Sequence, residues 1–111
     1  MHNKDRLYLE DIIASIEAIK IYIKDIDYKE FVKDRKTYSA TIRELEIVGE
    51  AVRNLSDNIK NKAPKIHWRD IKDLRNFLIH EYFGVDLEIL WNIVNNDIPI
   101  LHKAIKTILN D

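Results

Sequence analysis

Apolar residues in this sequence recur at steps of three and four, and no run sustains the alternation of a half-buried strand. Leu9, Ile12, Ile13, Ile16, Ile19, Ile23 and Ile26 keep that spacing from about Asp5 to Asp25, which draws one apolar stripe along an amphipathic α-helix. A second stripe covers the first. It runs through Tyr38, Ile42, Leu45, Val48, Val52, Leu55 and Ile59, with Asp34 placed to start the helix. A third follows in Trp68, Ile71, Leu74, Leu78 and Ile79, and a fourth in Leu87, Leu90, Trp91, Val94, Ile98, Leu101, Ile105 and Ile108.

The punctuation between stripes fits the same reading. Asp27 is placed to cap a short helix from Tyr28 to Lys33. Pro64 interrupts NKAPKIHW, because proline removes a helical donor and turns the residue before it away from helix. At FGVD, Gly84 is suited to the left-handed conformation that ends a helix, and Asp86 to capping the next. The last region is expected to be kinked or divided near Asp97 and Pro99. The expectation is an all-α chain, an antiparallel bundle of four to five helices over a single domain, residues 1–111. Nineteen isoleucines are many for one small core to hide, so a homodimer is expected.

Composition limits the chemistry. With no cysteine, thiolate metal sites and cysteine nucleophiles are excluded, and a reducing compartment, the cytoplasm, is the expected location. MHNKDRLYLEDII lacks the apolar core of a signal peptide, and no window approaches the roughly 18 apolar residues of a membrane span. No glycine-rich phosphate loop is present, so no cofactor is expected. His2, His67 and His102 lack the spacing that would assemble a metal site on one helix face; surface or capping roles are expected, and no metal. The formal net charge of -1 argues against non-specific coating of nucleic acid. The charge is uneven, however. From Lys60 to Arg75, six cations (Lys60, Lys62, Lys65, Arg69, Lys72, Arg75) face only Asp70 and Asp73. That stretch reads either as a solvated loop and helix start or as a patch facing phosphate.

The run RNFLIHEYFG places Arg75, Asn76, His80 and Tyr82 inside an otherwise apolar segment. At about 100° per residue, Tyr82 falls roughly 20° from Arg75, whereas His80 falls about 140° away. The three meet only if the helix ends or distorts near His80, or if two subunits bring their copies together. Taken singly, each has a plain structural reading. His80 reads as a ring hydrogen-bonded at a helix end, Arg75 as a surface partner of Asp73 or Glu81, and Tyr82 as core. Glu44, Glu46 and Glu50 read as a solvated face, with Glu50 also placed to pair with Arg75 across the bundle.

WRDIKDLRNFLIHEYFGVDLEILWNIV, together with the upstream ELEIVGEAVRNLS, resembles the HepT-like family of the HEPN superfamily. Its motif of Arg, a polar residue, His, one residue and Tyr matches Arg75, Asn76, His80 and Tyr82. The resemblance extends from about Glu44 to Val94. It implies a homodimeric helical toxin of a toxin-antitoxin pair, a metal-independent endoribonuclease that cuts RNA by attack of the RNA's own 2'-hydroxyl. It also implies a partner, a minimal nucleotidyltransferase of the MntA type, which would neutralise the toxin by transferring adenylyl groups from ATP to Tyr82.

The residue chemistry suits those roles. His80 has an unperturbed pKa close to neutrality, as a general base or acid requires. The always-protonated fork of Arg75 can stabilise charge on a phosphorane. Asn76 and the Tyr82 hydroxyl can orient the phosphate or the base. An adenylyl group on Tyr82 would fill the same groove with bulk and negative charge. The alternative expectation is a non-catalytic helical subunit that presents substrate to a nucleotidyltransferase or regulates it.

Overall fold

The computed structural model describes residues 1–80 and 86–110, with side chains as far as Leu74 and again from Asp86. Among the described residues every element is helical: α1 (Asn3–Tyr22), α2 (Tyr28–Lys33), α3 (Arg35–Asn54), α4 (Asp57–Lys60), α5 (Trp68–His80), α6 (Leu87–Asn92), a π-helical turn (Ile93–Asp97) and α7 (Ile98–Leu109). The class read from the apolar spacing is therefore the class observed.

The caps explain where the helices begin. His2 Nδ1 accepts from the Lys4 N–H at 3.2 Å, at the start of α1. Asp27 and Glu30 form a capping box, the Glu30 N–H donating to Asp27 at 2.9 Å and the Asp27 N–H to Glu30 at 3.3 Å. Asp34 closes α2 and opens α3. Its carboxylate accepts from the Thr37 hydroxyl at 2.7 Å and from the Thr37 N–H at 3.2 Å. Those bonds favour the ionised form, the hydroxyl bond most, and hold the Asp34 pKa below its ordinary value. Helix α1 ends at Tyr22, short of the expected Asp25, which instead takes φ 62 in the turn towards α2.

The second stripe is cut. Spacing predicts one helix through Ile59, but α3 stops at Asn54, Leu55 is extended with ψ 141°, and Ser56 caps the separate α4. The cause lies far away in sequence. The Asp5 carboxylate accepts from the Ser56 N–H at 3.0 Å and from its hydroxyl at 2.7 Å, which fixes Ser56 outside the helix. Leu55 and Ile59 are still buried, so the apolar stripe outlasts the break.

Near Pro99 the expected division takes the form of the π-turn. Proline offers no N–H to the carbonyl of Asn95 and its ring crowds that carbonyl. The ladder widens there, with the Ile98 N–H reaching back to Ile93.

The core joins all of these segments. Leu9, Ile12, Ile16 and Ile19 of α1, Leu45, Val48 and Val52 of α3, and Leu101, Ile105 and Ile108 of α7 are buried in one cluster with Phe31, Leu90 and Val94. Helix α1 packs on α3 and α7, and α3 packs on α5. Phe31 packs against Trp91, ring centroids 4.9 Å apart and planes tilted by 44°, and so ties α2 to α6. Burying a Leu or Ile side chain contributes about 1.5–3 kcal/mol, so this cluster dominates the fold.

Candidate active site

Helix α5 carries Arg75, Asn76 and His80, and the chain just before it sets its position. Residues 61–67 fold as consecutive turns, with Lys62, Ala63 and Ile66 donating to Ile59, Lys60 and Ala63 at 3.0 to 3.1 Å. The Trp68 indole locks these turns together. Its Nε1–H is shared between the carbonyls of Lys60 and Ala63, at 3.1 Å each. Ile71 and Leu74, half-buried on the next turns, pack against the core, which leaves the opposite face of α5 to solvent.

Arg75, Asn76 and His80 lie on the last two turns of α5, and the backbone is regularly helical from Trp68 through His80. Five positions of regular helix set Arg75 and His80 about 140° apart around the axis and roughly 7.5 Å apart along it. Asn76 and His80, four positions apart, fall in one row, separated by about 40°. The side chains of Arg75, Asn76 and His80 lie outside the described residues. Tyr82 and Gly84 lie outside them altogether. The segment between Arg75 and His80 contains no break that would turn the two towards each other.

The acidic cluster on α3 is more engaged than a solvated face. Glu44 accepts from the Tyr22 hydroxyl at 2.8 Å, and that bond raises the tyrosine pKa by favouring the protonated phenol. Glu46 pairs with Arg43 at 3.3 Å. Glu50 lines a groove of about 260 Å³ with Tyr8, Asp11, Arg43, Ile47 and Asn54.

Two features escape a reading by spacing. One is an open groove of about 370 Å³ where the chain before α5 faces the π-turn and α7. Ile66, Ile71, Leu74 and Leu101 supply apolar walls, with Lys65, His67, Asp70 and Asp97 among them. Its walls come from segments some thirty residues apart, and no local pattern joins them.

The other is His102. A surface or capping role was the expectation; the residue is instead buried, only 8% exposed. Lys20 Nζ stands 3.0 Å from His102 Nδ1. An ammonium can only donate, so Nδ1 accepts and the proton of the neutral ring sits on Nε2, which is buried and, among the described residues, without a partner. Burial, then the charges of Lys20 and Lys106, push the His102 pKa down, against a smaller pull from Glu17. The sequence did hold a signal, since His102 stands four residues from Ile98 and three from Ile105 on the apolar face of α7. His2 does cap, and His67 is exposed. Among the described residues no three His, Asp or Glu side chains are grouped to hold a metal ion, and no helix is long and apolar enough to cross a membrane.

Residues 12–108 match the model of the family described as "Ribonuclease HepT-like". The "Probable ribonuclease HepT" of Thermococcus cleftensis is 45% identical over 91% of this chain and 92% of its own. "Putative RNase MJ0127" of Methanocaldococcus jannaschii is 44% identical over 100% of this chain and 93% of its own. No solved structure matches the chain.

Proposed function

This chain belongs to the HepT-like ribonuclease family, and from that premise we propose that it is the toxin of a toxin-antitoxin pair, an endoribonuclease acting in the cytoplasm without a metal ion. The observation that carries the reading is the match across residues 12–108, which contains the whole of RNFLIHEYFG.

In the proposed reaction the substrate's 2'-oxygen attacks the adjacent phosphorus and the 5'-oxygen of the next nucleotide leaves. The products are a 2',3'-cyclic phosphate and a free 5'-hydroxyl. His80 takes the proton from the 2'-hydroxyl or returns one to the leaving oxygen. Arg75 binds the equatorial oxygens as negative charge gathers on them, an interaction stronger in the transition state than in the ground state. Asn76 and Tyr82 orient the phosphate.

The regular backbone between Arg75 and His80 supports a composite site. Since their positions diverge by about 140° on one helix, a homodimer that sets two copies of α5 side by side would bring Arg75 of one subunit towards His80 of the other.

Neutralisation falls on Tyr82. Its phenolic oxygen attacks the α-phosphorus of ATP bound to an MntA-type nucleotidyltransferase, pyrophosphate leaves, and the O-adenylyl-tyrosine adds bulk and negative charge to the motif. The test is expression of the chain alone and together with that nucleotidyltransferase, with intact-mass measurement of each product. Growth arrest by the chain alone, relieved by the partner with a gain of whole adenylyl units at Tyr82, is the expected result. Harmless expression of a chain of unmodified mass would favour a non-catalytic binding subunit instead.

A further inference from the structure

The surface leading to the motif is rich in cations that form no ion pair among the described residues; the acids within the same stretch, Asp70 and Asp73, are exposed beside them. Lys62, Lys65, Arg69 and Lys72 are exposed and Lys60 is half-buried. The ion pairs among the described residues are Arg6 with Glu10 and Arg43 with Glu46, and these five cations take part in neither. Nor do they hang on a loose tail. Lys60 ends α4, Lys62 and Lys65 sit on the consecutive turns that Trp68 Nε1 clamps at the carbonyls of Lys60 and Ala63, and Arg69 and Lys72 stand on α5.

Crowding like charges on a fixed framework raises the energy of the folded protein unless an outside anion answers them. The stretch from Lys60 to Arg75 carries a net +4, against -5 for the rest of the chain.

The register of α5 aims the strip at the motif. From Arg69, Asn76 and His80 follow at seven and eleven positions, which places all three within about 40° of one line along the helix. Lys72 flanks that line at about 60°. Arg69 and His80 are separated by roughly 16 Å of helix, room for a short run of nucleotides.

We infer that Lys62, Lys65, Arg69 and Lys72 form a phosphate track that holds single-stranded RNA on one side of the bond to be cut and feeds it along α5 to His80. This rests on the ribonuclease reading and adds to it the place where the substrate is gripped. The contacts are to phosphate, so the track contributes affinity and position with no choice of base.

The test is a salt titration of binding to a fluorescent 2'-O-methyl oligoribonucleotide, which cannot be cut because its 2'-oxygen is blocked. Each cation lost from a phosphate contact should lower the slope of log Kd against log salt by about 0.7 and weaken binding roughly fivefold at ~0.1 M salt. The variant carrying Lys62→Gln, Lys65→Gln, Arg69→Gln and Lys72→Gln is therefore expected to lose a slope of about 3. Arg69→Gln alone should lose about one quarter of that. A control carrying Lys29→Gln, Lys33→Gln, Lys36→Gln and Lys103→Gln, all exposed elsewhere, should bind as wild type does. A slope untouched by the strip variant, an equal loss in the control, or a wild-type protein that does not bind this RNA each overturns the track, the first pointing to a protein partner at the strip. Track-dependent binding by a wild-type protein that leaves cleavable RNA intact would keep the track and remove the ribonuclease reading.

Discussion

The carboxylate of Asp5 holds both the backbone N–H and the hydroxyl of Ser56, at 3.0 and 2.7 Å. One buried side chain at the start of α1 thereby fixes the corner between α3 and α4. Asp5→Ala would leave two Ser56 donors without their charged acceptor in a part-buried place. The expected loss is on the order of 2–4 kcal/mol, read by urea unfolding. A loss below about 0.5 kcal/mol would show that solvent satisfies Ser56 equally well.

Lys20 and His102 make stability depend on pH. Because the folded protein holds the His102 pKa below 6.5, the unfolded chain binds the proton more readily. The contribution of the neutral ring is fully present above about pH 6.5 and declines as pH falls from there towards the folded value. Urea midpoints measured between about pH 5 and 7.5 should therefore fall on the acid side for wild type. His102→Met, which removes the buried Nε2–H and the titration together, should flatten that dependence. The same slope in both proteins would assign it to groups other than His102; Asp34, whose lowered pKa acts in the same direction, contributes only at more acid pH than this window.

Trp68→Phe retains a large ring and removes the donor shared by the carbonyls of Lys60 and Ala63. We expect about 1–2 kcal/mol less stability. Amide hydrogen exchange at Ala63 and Ile66 should be faster than wild type, while α1 amides change little. Uniform acceleration along the chain would mean that the indole supports the core and not the turns.

Arg75→Lys keeps the charge and loses the planar fork. If the guanidinium binds two phosphorane oxygens, cleavage should fall by about 100-fold or more with the helical content unchanged by circular dichroism. Near-normal cleavage by the lysine variant would reduce the role of Arg75 to general electrostatic attraction.

What could be read from spacing was whatever depended on neighbours in sequence. Asp27, Asp34 and Asp86 were legible as caps because a cap acts within three residues, and each one accepts from the helix it starts. The division before Pro99 was legible because proline acts on its own helix. The end of α3 was not, because it is imposed by Asp5, 51 residues away from Ser56. The groove beside α5 was hidden for the same reason, being assembled from segments that meet only in the fold. Arg75, Asn76 and His80 stand out in the sequence as polar residues in an apolar run, and they lie on a regular helix. Their spacing alone left several roles open, and it was the longer resemblance that selected one.

In the proposed function RNFLIHEYFG is a catalytic motif. The most direct measurement is cleavage of total RNA by the purified chain in the presence of a chelator, beside His80→Ala, with the mass of both proteins determined first. Unmodified wild type should cleave to 2',3'-cyclic phosphate ends, and the variant should lose at least about 100-fold. Cleavage that persists in His80→Ala, or none from wild type of unmodified mass, would contradict that function.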